Sequence, residues 1–182
     1  MSRIPTPSVD AAPADTQPLL AAVQRKLGTV PNMFRIIANS PATLEAYLGF
    51  SEGLGKGALS PATRERIALT VAEVNGCDYC LSAHTYLALN LAKLDEAEIT
   101  ANRSGASNDL VADAAVRFAA KLAHQRGQID ETDIVAIRQA GYSDAEIVEI
   151  VGHVAINVFT NYINEALKTD IDFPRIGARQ AA

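Results

Sequence analysis

Apolar residues along this chain recur at three- and four-residue spacing, and no stretch alternates apolar and polar residues one by one. A spacing near 3.6 lays the apolar side chains along one face of a helix, whereas a half-buried strand needs a period of two. The pattern therefore predicts an all-α fold of about seven helices in a single domain. Leu19, Leu20, Val23 and Leu27 form the first apolar stripe, and Gly28 stops it. Pro31 opens a short apolar segment from Met33 to Ala38. Ser40-Pro41 and Ser60-Pro61 each place serine at an N-cap and proline at the first helical position. Gly53, Gly55 and Gly57 between them predict a loop. The second Ser-Pro helix is expected from about Pro61 to Val74, with Asn75-Gly76 ending it and a new helix starting near Cys77. Further helices are expected from Ser107 or Asn108 to about 123, over roughly 131–140, and over about 144–167. The last is launched by the capping box Ser143-Asp144-Ala145-Glu146. It is apolar nearly all round, which predicts a position at the centre of the domain or against another subunit.

Residues 1–17 contain Pro5, Pro7 and Pro13 and read as a flexible or extended arm. Residues 18–168 form the expected helical domain, and residues 169–182 a tail running over the surface. At 182 residues the chain is long enough for one sizeable core. Its net charge of −5, with no Lys/Arg block, argues against nucleic acid and anionic membrane surfaces as partners. No run approaches the roughly 18 apolar residues of a spanning helix, and the first residues lack the apolar core of a signal peptide. A cytoplasmic location is expected. That compartment is reducing, and the only two cysteines are three residues apart, too close to staple distant parts of a fold.

Those cysteines, Cys77 and Cys80, are the most informative residues. A Cys-x-x-Cys pair at a helix start puts sulfur near backbone amides that favour the thiolate, and the thiolate is the nucleophile. The second sulfur lies one turn on, within reach of a disulfide. One sulfur can take oxygen from an oxidant as a sulfenic acid, and the other can condense with it and release water. His84 follows Cys80 by four residues on the same helix face, where an imidazole can accept the thiol proton. Glu65 lies on the preceding helix. Antiparallel packing through the Gly76 turn would bring its carboxylate to the dithiol, to orient His84 or relay protons. Other readings stand beside this one: two small buried residues, or half a zinc site completed by histidines or carboxylates. On the final helix His153, Asn157 and Asn161 repeat every four residues as a polar stripe, and Tyr162 and Asn164 extend the contact it would make. Such a stripe lines a pocket or makes a hydrogen-bonded subunit contact, and the structural or interface reading is favoured. His124 reads as a surface residue.

The spacing Glu65-x11-Cys77-x2-Cys80-x3-His84 resembles the alkylhydroperoxidase D core of the carboxymuconolactone decarboxylase superfamily. Val30-Pro31-Asn32-Met33-Phe34, Ser40-Pro41, the segment Ala140–Ile147 and the segment His153–Tyr162 are similar to its peroxidase-related branch, so the likeness spans roughly residues 28–174. The resemblance implies an all-helical protein that assembles into trimers or hexamers. It implies a peroxidase with no metal, haem or flavin cofactor, acting on a small peroxide. Cys80 would be the attacking sulfur, Cys77 the resolving one, and Glu65 with His84 the proton relay. Electrons would come from a thiol or lipoyl-type donor. One position departs from the pattern: well-known members have histidine immediately before the second cysteine, where this chain has Tyr79, a neutral phenol at pH 7. Two alternatives stand beside it: a non-redox lactone decarboxylase, against which the Cys-x-x-Cys pair argues, or a redox sensor or binding module without fast turnover.

Overall fold

The computed structural model describes residues 1–179. Among them are nine α-helices: α1 (Gln17–Leu27), α2 (Asn32–Ile37), α3 (Pro41–Gly55), α4 (Pro61–Val74), α5 (Asp78–Asn90), α6 (Glu96–Arg103), α7 (Leu110–Gln125), α8 (Glu131–Gln139) and α9 (Asp144–Leu167). The fold is all-α, as the apolar spacing requires, with two helices more than the spacing marks out. One is α2, only six residues long. The other is α6, capped by Asp95, which accepts the Glu98 N–H. The Ser-Pro starts form as written: Ser40 and Ser60 accept the N–H of Thr43 and Thr63. The capping box of Ser143 and Glu146 also forms. The glycine-marked loop is shorter than expected, because α3 continues through Gly53 to Gly55. The N-cap of α7 is Asp109 rather than Ser107 or Asn108.

The centre of the domain is α4, not α9. It packs against α5, α6, α7 and α9, and its residues from Arg66 to Ala72 are all buried. Leu69 and Ala72 face one apolar cluster, with Leu20, Ile36, Leu44 and Leu81. Ile67 and Val71 face a second, with Val154, Ile150, Ala115 and Phe118. The charged residues of α4 are accommodated by partners. Arg66 Nε meets Glu98 Oε1 at 2.6 Å, and Glu73 Oε2 accepts from Arg103 Nε at 2.5 Å. The longest helix, α9, buries one side against α3, α4, α5 and α7. Its other side leaves Val148, Val151 and Tyr162 exposed.

Both ends of the described residues are tied down. The first residues are mostly extended with two short 3-10 turns, Val9–Ala11 and Ala14–Thr16. The Arg35 guanidinium donates to the carbonyls of Thr6 and Pro7, and Arg3 N–H donates to Leu167 O. The tail crosses the start of α5. Ser82 and Ile176 exchange hydrogen bonds, Ala178 N–H donates to Asp78 Oδ1, and Arg179 N–H to Glu73 Oε1. No helix of the described residues is long and apolar enough to cross a membrane.

Candidate active site

The turn between α4 and α5 presents the dithiol. Asn75 ends α4, and Gly76 takes φ of 65°, a conformation glycine adopts without the strain of a Cβ. The chain then reverses into α5, with Cys77 as its N-cap. Cys77 Sγ accepts the Cys80 N–H at 3.2 Å, so this sulfur sits on the electropositive end of the helix. Cys77 and Cys80 are joined as a disulfide, with Cα atoms 5.3 Å apart. Both are buried, Cys77 at 0% and Cys80 at 3% exposure.

The antiparallel packing inferred for α4 and α5 does form, and it brings Glu65 to His84. His84 Nδ1 and Glu65 Oε2 are 2.9 Å apart, and each side chain keeps 22% of its surface exposed. A hydrogen bond from Nδ1–H to the carboxylate leaves Nε2 with the lone pair, the tautomer a proton acceptor needs. Glu65 thus lies against the Nδ1 side of the imidazole. From α3, Tyr47 stacks on Phe159 with ring centroids 5.9 Å apart. Burial, with the Glu65 charge adding to it, pushes its phenol up to about 12.

The polar stripe of α9 is buried within this chain, His153 and Asn157 at 8% and 7% exposure and Asn161 at 0%. Asn157 Nδ2 donates to the carbonyl of His153, one turn back. Burial, with Arg64 nearby, lowers the His153 imidazole to about 4, so it is neutral at physiological pH. Its Nε2 has no hydrogen-bond partner. Asn161 Oδ1 accepts from Asn75 Nδ2 at 2.7 Å, tying α9 to the turn before the dithiol. The most direct contact comes from Asn164, whose Nδ2 donates to Cys80 Sγ at 3.3 Å. The sequence reading had Asn164 only as an extension of the stripe. Its signal was the seven-residue step from Asn157, which keeps it on the same face. Asn75 was legible only as a helix stop.

Tyr79 turns away from this group. Its hydroxyl accepts the Met33 N–H at 3.1 Å, and its ring meets Phe173 of the tail edge-on at 5.9 Å. Burial raises its phenol further above the usual range. It therefore binds α5 to α2 and the tail and offers no base at neutral pH. His124 is exposed near the end of α7. An open cleft of about 210 Å³ lies beside the dithiol turn, lined among others by Gly76, Asp78, Tyr79, Asn164 and Lys168. Among the described residues, no group of three or more His, Cys, Asp or Glu side chains is placed to hold a metal ion.

Residues 41–125, which contain Glu65, both cysteines and His84, match the model of the carboxymuconolactone decarboxylase family. The matched stretch is similar to this family. Similar solved structures include an alkylhydroperoxidase AhpD core described as an uncharacterized peroxidase-related protein, from Ralstonia eutropha JMP134. It shares 25% identity and a TM-score of 0.84, over 94% of this chain and 92% of that one. An uncharacterized peroxidase-related protein from Silicibacter sp. TM1040 shares 29% identity and a TM-score of 0.81, over 93% of this chain and 91% of that one. The debrominase Bmp8, solved with 2,3,4-tribromopyrrole, has the same fold at 21% identity and a TM-score of 0.77, over 93% of this chain and 91% of that one. No curated protein sequence matches the chain significantly. The fold shared with these structures thus encloses, in this chain, a Cys-x-x-Cys pair and a Glu-His pair.

Proposed function

We propose that the chain is a thiol-dependent hydroperoxide reductase that cycles Cys77 and Cys80 between dithiol and disulfide. The observation that carries this reading is the joined pair Cys77–Cys80 one helical turn before an imidazole held by Glu65. His84 Nε2 takes the thiol proton of Cys80. The Cys80 thiolate attacks the terminal oxygen of the peroxide. An S–O bond forms, the O–O bond breaks, and the departing alkoxide takes a proton from His84. Sulfur is oxidised by two electrons to sulfenic acid, and the peroxide is reduced to an alcohol or water. Cys77 then attacks the sulfenic sulfur, and water leaves as the disulfide closes. Its position on the α5 N-terminus favours the thiolate needed for that second attack. A dithiol donor, a small thiol or a lipoyl group, returns two electrons and resets the pair.

The apolar stripe of Val148, Val151 and Tyr162 on α9 supports assembly of copies into a trimer or hexamer, which sedimentation would measure. The functional test is peroxide consumption with dithiothreitol or dihydrolipoamide as donor, comparing the wild type with Cys80→Ser. The wild type should turn over and the variant should not. Equal rates in the two would end the proposal. Slow turnover with a redox-dependent change in partner binding would favour a sensor. Lactone decarboxylation retained in a Cys77/Cys80 double variant would favour the non-redox reading.

A further inference from the structure

Asn164 is 2% exposed, and the two ends of its amide are treated differently. Nδ2 donates to Cys80 Sγ at 3.3 Å, while Oδ1 is buried with no hydrogen-bond partner. The orientation follows from chemistry: a disulfide sulfur carries no hydrogen and can only accept, so the nitrogen faces it. A buried acceptor without a donor is costly, and native proteins keep few of them. This one lies beside a reactive sulfur, on a side chain that also lines the cleft of about 210 Å³. The cleft is smaller than the ~300 Å³ at which pockets for drug-sized ligands begin.

We propose that Asn164 is a catalytic residue, its Nδ2 holding the Cys80 thiolate and its Oδ1 accepting the O–H of a small hydroperoxide that enters by this cleft. The inference rests on the hydroperoxide reductase reading. One amide then grips both reactants. Its N–H group favours the charged sulfur, and its carbonyl places the peroxide hydroxyl next to that sulfur. The hydroxyl hydrogen stays with the oxygen that is transferred and becomes the sulfenic hydrogen. The alkoxide half leaves toward His84, which returns the proton it removed from the thiol. Electrons balance as before: two leave sulfur and two cleave the O–O bond. The Tyr79 hydroxyl is committed to Met33, and Asn164 supplies the polar contact to the sulfur.

The test uses the full chain with Cys77→Ser, so that Cys80 titrates alone, and compares Asn164 with Asn164→Leu and Asn164→Asp. Thiolate absorbance against pH gives the thiol pKa, and stopped-flow mixing with hydrogen peroxide and tert-butyl hydroperoxide gives the oxidation rate. Loss of one charge-assisted hydrogen bond should raise the pKa by roughly one in Asn164→Leu. Asn164→Asp should raise it further, because a carboxylate faces the thiolate. The rate per thiolate, measured above the pKa, should fall about ten-fold in Asn164→Leu through loss of the peroxide contact. A purely structural residue would lower the melting temperature and leave pKa and per-thiolate rate unchanged. That outcome in either folded variant, with a fast wild type, overturns the proposal and leaves the peroxidase reading standing. A wild type whose Cys80 thiolate is oxidised no faster than free cysteine overturns both.

Discussion

Replacing Glu98 by glutamine should destabilise the domain at neutral pH and progressively less as pH falls. Glu98 lies on α6, its side chain 8% exposed, against Arg66 of α4 at 11%. Burial alone would push its carboxyl up. Hydrogen bonds from Ser107, Asn102, Arg66 and the Asn108 N–H outweigh that and bring it down from 4.5 to about 2. A carboxyl depressed on folding stabilises the native state fully above its unfolded value, and the stabilisation is lost as pH falls through the folded value. A drop of about 2.5 in pKa corresponds to roughly 3 kcal/mol at pH 7. Glutamine keeps the shape but leaves Arg66 buried with only Asp109, 3.7 Å away, as a carboxylate neighbour. For a chain of this length, 3 kcal/mol lowers the melting temperature by about 6–12 °C. Urea unfolding of wild type and Glu98→Gln at pH 7 and pH 3 measures the gap directly. It should narrow by about 2 kcal/mol between the two, since only the wild type carries the Glu98 carboxyl that takes up a proton in that window. A gap that stays constant with pH, or never exceeds 0.5 kcal/mol, would refute the electrostatic reasoning.

Nuclear magnetic resonance titration should find the His153 imidazole neutral down to about 4. Because its folded value lies below 6.5, stability falls as pH drops from 6.5 towards 4, and His153→Gln should flatten that part of the profile. Phe173→Ala removes the ring packed on Tyr79 and Tyr86 where the tail crosses α5. It should cost about 1–2 kcal/mol, and iodoacetamide should alkylate the reduced cysteines faster than in the wild type. A Cβ at Gly152 would stand 2.8 Å from Leu54 Cδ2, so Gly152→Val should lose roughly 1–3 kcal/mol in urea unfolding as α3 and α9 are forced apart.

Much of this molecule is written locally. Serine-proline pairs start α3 and α4, a capping box starts α9, and Gly76 marks the reversal into α5. Each depends on residues a few positions apart. The missed α6 buries Glu98 and Asn102 beside Ile99, so apolar spacing had little to register. The central place of α4 was hidden by its charges, because Arg64, Glu65, Arg66 and Glu73 look like a solvated face. Three of the four instead pair with ionisable side chains, His84, Glu98 and Arg103, and Arg64 donates to the Gly55 carbonyl. The apolar surface of α9 does not say how much of it this chain itself covers, and Val148, Val151 and Tyr162 stay exposed. At the site, Glu65, Cys77, Cys80 and His84 were legible because their spacing is fixed by two helices and one turn. The Asn164–Cys80 contact joins residues 84 positions apart, and only the packing of α9 on α5 makes it. The direction of Tyr79 was hidden for the same reason, being set by Met33 and Phe173.

The central claim is that Cys80 receives an oxygen atom from a hydroperoxide and hands the oxidation on to Cys77. Mass spectrometry of the reduced protein after one equivalent of hydrogen peroxide tests it. Wild type should lose two hydrogens in an intramolecular Cys77–Cys80 disulfide, and Cys77→Ser should gain a single oxygen located on Cys80. Oxygen trapped on Cys77 in Cys80→Ser, with Cys80 untouched in Cys77→Ser, would contradict the assignment. Thiols that survive the treatment intact would contradict the account as a whole.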